Sequence, residues 1–164
     1  MTQVPIAEGV FTWSSESPRL LGSRCDDCGT HTFPAQRGCP RCGSESMARV
    51  ELADRGTLFT FTTQGYLPKE PYTGPETEDD FTPFALGYVE LPREVIVETR
   101  ITEADPARLE IGMPVRLVFV PFRREPDGTQ VMTYAFAPAA SVRERGIPAS
   151  SERPIEPVGD GDAS

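Results

Sequence analysis

Four cysteines, the whole complement of this 164-residue chain, fall within one stretch, SRCDDCGTHTFPAQRGCPRCGS, at residues 23–44. They form two hooks, Cys25-x2-Cys28-Gly29 and Cys39-x2-Cys42-Gly43, with ten residues between Cys28 and Cys39. A Cys-x-x-Cys turn lets two thiolates reach one ion, and the glycine behind it permits the tight backbone that aims amide hydrogens at sulfur. Two such hooks make a tetrahedral four-thiolate cage, and in a reducing compartment this spacing favours Zn2+ over disulfides. Iron in a rubredoxin-like site also uses paired hooks, but those usually lie much farther apart. A thioredoxin-like redox motif belongs at a helix start in a βαβ unit, which a second hook ten residues on does not fit. Four protein ligands leave no open coordination position, so one zinc held by Cys25, Cys28, Cys39 and Cys42 is expected to be structural. The need is physical: a segment of about 30 residues has too little core to fold without a staple.

Little else in the chain offers catalytic chemistry. His31, the one histidine, lies between the hooks and reads as an exposed strand residue; a Ser-His-Asp arrangement would have to use it. No glycine-rich phosphate loop and no carboxylate pair stands out from the abundance of acids. Catalysis by this chain is therefore not expected.

Charge narrows the partners. Sixteen basic residues against 25 acidic ones give a net of −9, and Lys69 is the single lysine. Residues 51–140 hold eight basic and fifteen acidic side chains. Nucleic-acid binders draw most of their non-specific affinity from Lys and Arg neutralising phosphates, so a nucleic-acid-binding module is the weaker reading despite an architecture that can serve it. No apolar run approaches the roughly 18 residues a membrane helix needs. The start, MTQVPIAEGV, lacks the pattern of a secretory signal. A cytoplasmic protein without a membrane partner is expected.

The elements that must position the cysteines divide the chain into four zones. Residues 1–18 form an amino-terminal arm, polar with apolar anchors at Val10, Phe11 and Trp13; 19–50 form the zinc ribbon; 51–138 form a barrel; 139–164 form a flexible tail too poor in large apolar residues to offset ordering entropy. Strands are expected at 56–66, 83–91, 94–102, 114–122 and 129–137, with Pro92 and Arg93 marking a hairpin and Pro-Asp-Gly at 126–128 a turn. In the third strand Val95, Val97, Thr99 and Ile101 share one face, opposite Glu94, Ile96, Glu98 and Arg100. Asp105 caps a short helical turn begun by Pro106. Three strands, a short helix and two strands is the order of a five-stranded OB-fold barrel. The predicted class is thus mainly β: a rubredoxin-like zinc ribbon, then an OB-fold, then a disordered tail. The connection at 67–82 is long for a compact domain, and loops of that length are usually functional or disordered.

The stretches PRLLGSRCDDCGTHTFPAQRGCPRCGS, GTLFTFTT, PFALGYVEL, IGMPVRLVF and TYAFAP together resemble the zinc-ribbon and OB-fold proteins grouped as domain of unknown function 35, over about Pro18 to Pro138. The resemblance implies a partner subunit of thiolase-like enzymes, including the lipid-transfer-protein-like aldolases of steroid side-chain breakdown. It implies a hetero-oligomer, a link to acyl-CoA, and in some members a bridge to a separate hydratase. Many relatives begin with an amphipathic helix carrying a Phe-Trp pair; here Thr12 separates Phe11 from Trp13, and serines crowd the segment. Within this reading the expected partner or acyl-CoA contacts are Tyr72, Phe81 and Phe84 in the long loop, and Phe122, Arg123 and Arg124, expected to be exposed, the two guanidinium groups suiting CoA phosphates.

Overall fold

A computed structural model describes residues 2–13, 17–70, 79 and 81–139. Nine strands occur among these residues: β1 (Gln3–Pro5), β2 (Leu21–Cys25), β3 (His31–Thr32), β4 (Met47–Glu51), β5 (Arg55–Gln64), β6 (Phe84–Glu90), β7 (Ile96–Ile101), β8 (Pro114–Arg124) and β9 (Gln130–Pro138). The five expected barrel strands are β5 to β9, each end within two residues of its predicted place. The alternation read for β7 holds: Val97, Thr99 and Ile101 are buried while Ile96 and Glu98 face outward. The expected helical turn is a 3-10 turn at Pro106–Arg108, with the Asp105 carboxylate accepting from the Ala107 amide at 2.9 Å.

Pairing runs β5–β6–β7–β9–β8 and closes from β8 back to β5. With β7 and β9 parallel and the other barrel pairs antiparallel, this is the strand order of an OB-fold. Closure requires strands to bend, and each long strand carries one bulge to do so. In β5 the extra residue is Phe59, between Leu58 paired with Val89 and Thr60 paired with Tyr88. In β8 it is Phe122, between Pro121 and Arg123. Gly56, where β5 meets both neighbours, has no room for a side chain: a Cβ there would fall on the Glu90 carbonyl oxygen.

The ribbon is a separate three-stranded antiparallel sheet in the order β3–β2–β4. It shares one core with the barrel. Leu20 and Leu52, side by side at one end of the ribbon sheet where the Leu52 amide donates to the Leu20 carbonyl at 2.9 Å, are 0% and 1% exposed and pack with Leu58, Leu91 and Phe136 of the barrel. Arg19 meets Asp54 at 2.7 Å across the same junction.

The amino-terminal segment joins this junction as extended chain. β1 pairs in parallel with the start of β9, and Phe11 bridges Leu20. In extended chain residues i and i+2 face the same way, so the intervening Thr12 aligns Phe11 and Trp13 on one surface. Their rings lie 4.7 and 5.8 Å from Phe119, and Phe11 and Phe33 lie 6.3 and 5.6 Å from Tyr134. A Phe-x-Trp spacing that is wrong for one face of a helix is right for this geometry.

Phe11 is thus the ring on which arm, ribbon and barrel converge. Phe11→Ala is expected to cost about 3–5 kcal/mol and to raise the exposure of Trp13. Denaturant unfolding followed by Trp13 fluorescence would read both effects; an unchanged midpoint would show that the arm is not part of the core.

Candidate metal centre and barrel contacts

Each cysteine hook is built by the same two hydrogen bonds. The Cys25 amide donates to the Thr30 carbonyl at 2.9 Å and the Gly29 amide to the Cys25 carbonyl at 2.9 Å; in the second hook Cys39 donates to Ser44 at 2.8 Å and Gly43 to Cys39 at 2.9 Å. The closing residue of each turn has a left-handed backbone, φ +71° at Gly29 and +75° at Gly43, which only glycine adopts without strain. The two turns are tied together by Asp26, whose amide donates to the Ser46 carbonyl at 3.0 Å and whose carboxylate accepts from the Ser46 hydroxyl at 3.0 Å.

All four sulfurs lie within 4.8 Å of one another. Cys25 Sγ is 3.6 Å from Cys42 Sγ, and Cys28 Sγ is 3.5 Å from Cys39 Sγ. Disulfide sulfurs stand about 2.05 Å apart. A tetrahedron with Zn–S bonds of about 2.3 Å has edges of about 3.8 Å, so the spacing fits one tetrahedral ion and not two disulfides. Cys25 and Cys39 are buried, and Cys42 is on the surface.

The sulfurs share a strained charge distribution that a cation resolves. The Thr30 hydroxyl, 3.2 Å from Cys28 Sγ, and then the Thr30 amide hold that thiol at about 6. Cys39 is lowered by the Cys42 and Arg41 amides, the former more strongly. At Cys42 the Ser44 amide pulls downward, but crowding by the Cys28 and Cys39 sulfurs, with burial, pushes the thiol up to about 12. Amides aimed at sulfur stabilise thiolates, and four thiolates gathered this closely require a dication.

The sheet around the cage is pinned from below. Ser23, 1% exposed, accepts from the Gln36 amide at 2.8 Å and donates to the Gln36 carbonyl at 3.0 Å, which holds the loop between the hooks against β2. His31 sits in β3, half-buried beside the cage and surplus to it.

Of the other predicted site residues, Phe81, Phe84, Phe122, Arg123 and Arg124 are among those described. Tyr72 lies outside the described residues. Phe81 is half-buried, with its ring 6.0 Å from that of Phe84; Phe84 is 8% exposed, and the Arg100 guanidinium lies 3.9 Å from its ring centre. A hollow of about 300 Å3 beside Phe84 is walled by Arg100, Val120 and Pro121, directly before the Phe122 bulge. Phe122 and Arg123 were expected to be exposed and are instead half-buried, because the bulge turns the backbone and Arg123 is held by Glu125 at 2.9 Å. Arg124 faces solvent.

Residues 16–48 match the model for the rubredoxin-like zinc ribbon domain of ChsH2, and residues 49–120 match that for its C-terminal OB-fold domain. Over 135 residues the chain is 30% identical to a DUF35 domain-containing scaffold protein of Methanothermobacter thermautotrophicus, covering 80% of this chain and 95% of that one. The chain belongs to the DUF35 family. A second relative of this DUF35 chain, the benzoylsuccinyl-CoA thiolase subunit BbsA of Thauera aromatica, is 29% identical over 120 residues, 73% of this chain and 76% of that one. A solved structure described as the Ltp2-ChsH2(DUF35) aldolase is 29% identical and superposes with a TM-score of 0.56, covering 74% of this chain and 86% of its counterpart. The ribbon match and the sulfur geometry agree on one structural zinc bound by Cys25, Cys28, Cys39 and Cys42.

The metal is expected at about one zinc per chain, with chelation or Cys28→Ser unfolding the ribbon. Adding zinc to reduced, metal-free chain at pH 7 is expected to release protons, because Cys42 gives up a thiol proton on binding; acidification reverses this by competing for sulfur. Metal analysis and an indicator dye measure both. A ribbon that stays folded without metal would overturn the structural role.

Proposed function

We propose that this DUF35 chain is a non-catalytic accessory subunit that binds and stabilises a thiolase-like acyl-CoA enzyme in a hetero-oligomer and helps shape the path of the acyl-CoA. The observation that carries the reading is the likeness, over most of both chains, to the chain of the Ltp2-ChsH2(DUF35) aldolase; the name of BbsA as a thiolase subunit supports it. The closed four-thiolate cage supports it too, since it offers a substrate no coordination position. Aldolase or thiolase chemistry would then reside in the partner, with steroid side-chain acyl-CoAs as one substrate class. A hydratase in the assembly would be a separate subunit.

The proposed docking end is the one around Phe81. Tyr66 is 73% exposed there, in a groove with Leu67, Lys69, Phe81 and Pro83. Exposed Tyr66 and half-buried Phe81 beside the buried Phe84 resemble the apolar centres that dominate interface energies. Phe84 supports this end from within the barrel wall, and Phe122, Arg123 and Arg124 border it.

Affinity capture of the tagged chain from its native host is expected to recover a thiolase-like protein in equal amount. Tyr66→Ala with Phe81→Ala is expected to reduce that recovery at least tenfold, the scale of a loss near 1.4 kcal/mol, without changing zinc content or melting temperature. Phe84→Ala is expected to lower the melting temperature instead. Recovery of the chain by itself, or with nucleic acid, would overturn the accessory-subunit reading.

A further inference from the structure

The barrel closes through only part of β5. Its first residues, 55–57, pair with β8, and Leu58 still bonds to the turn before β8, its amide donating to the Met113 carbonyl at 3.0 Å and its carbonyl accepting from Gly112 at 2.7 Å. Beyond the Phe59 bulge β5 runs on to Gln64 with β6 on one side and, among the described residues, no strand on the other.

The alternation of backbone groups shows what that edge presents. The Leu91 amide donates to the Val95 carbonyl at 3.0 Å, so Leu91, Val89, Gly87 and Ala85 turn their backbone groups toward β7. Tyr88, Leu86 and Phe84 therefore turn theirs toward β5, where they pair with Thr60, Thr62 and Gln64. The amides and carbonyls of Phe61 and Thr63 are left pointing outward from the edge, and among the described residues no hydrogen bond reaches them. Thr62 and Thr63 are exposed.

Open edges recruit other strands, and proteins guard them with short length, charge or proline. The other edges of this fold are guarded: β1 has three residues and ends in Pro5, β3 has two, and β4 carries Arg49 and Glu51. From Gly56 to Leu67 there is neither a charge nor a proline. The run is rich in threonine and aromatics, which favour strands.

Charge and symmetry point to the occupant. Two copies of a chain with a net charge of −9 repel wherever their carboxylates meet, but this edge is free of charge on both. Antiparallel pairing about a two-fold axis at Thr62 sets Phe61 opposite Thr63 of the second copy, and Thr63 opposite its Phe61. Both are hydrogen-bonding positions, so the outward amides and carbonyls of these residues are satisfied on both copies. Thr62 then meets Thr62 of the second copy, a favourable cross-strand pair, and Thr60 meets Gln64. Glu98, the acid in register with this strip, lies two strands in from the edge, opposite Tyr88. At about 4.8 Å per strand the two Glu98 side chains stand at least about 24 Å apart, roughly three Debye lengths at physiological salt. A two-fold contact of this kind closes after two chains and does not propagate into a fibre.

We propose that β5 of two copies of this chain pairs through its open edge, joining the barrels into a symmetric homodimer. Sedimentation of the full, zinc-loaded chain by itself tests it: the mass is expected to rise with concentration from one copy to two. Thr62→Lys sets like charges face to face at the axis and is expected to weaken association about tenfold or more, with partial recovery in high salt. Thr63→Pro removes an outward amide and leaves the ladder to β6 intact, so it is expected to weaken association as much, without recovery in salt. Both variants are expected to keep their zinc. Hydrogen exchange reads the register: the Phe61 and Thr63 amides are expected to be protected in the dimer and to exchange freely in Thr62→Lys. A monomer at every concentration, a dimer that either variant leaves intact, or a dimer whose Phe61 and Thr63 amides exchange freely would overturn the proposal. Protection of these amides in a monomer would do so too, by showing that another part of the same chain covers the edge. None of these outcomes depends on whether a thiolase-like partner is recovered.

Discussion

Four sulfurs drawn from two turns are the cross-link on which the amino-terminal third of this protein depends. The ribbon strands are short, two to five residues, and their side chains enclose almost no apolar volume of their own. Without the cage, the hooks would gather negative charge with nothing to balance it, as the opposed displacements of Cys28 and Cys42 indicate. With the ion in place, the left-handed glycines and the amides behind each cysteine form a closed shell. The same closure makes the centre structural, because no ligand position remains for chemistry.

The ribbon cannot be understood apart from the barrel, however. Leu20 and Leu52 enter the barrel core, and Phe33 reaches Tyr134 across the junction. Phe11 and Trp13 complete the contact from outside both domains. The metal therefore organises a sheet one end of which is buried in the barrel core. Barrel closure follows its own constraint: bulges at Phe59 and Phe122 let two long strands curve around a narrow core. The first leaves the Phe59 ring exposed, while Phe122 at the second is half-buried.

These features give the functional reading its physical form. An acidic barrel with exposed Tyr66 at one end is the ground for the proposed protein partner, and a closed zinc cage would offer a substrate no coordination position.

The cysteine spacing, the glycines behind it and the strand periodicities were enough to read the zinc cage, the five barrel strands and the capped turn at Asp105. Each of these rests on interactions between residues close in sequence, or on a two-residue alternation that survives any tertiary arrangement. Other features lay beyond that reach. The parallel pairing of Gln3–Pro5 with β9 joins opposite ends of the chain and has no local signal. The three residues Phe11, Thr12 and Trp13 look like a failed helix until Phe119 and Leu20 supply the surface that makes extended chain the better state. Phe122 and Arg123 read as an exposed tip, but a bulge and Glu125 draw them inward. What the sequence determined by itself was the local chemistry of each element; what the tertiary structure decided was which elements, distant along the chain, came to share a surface.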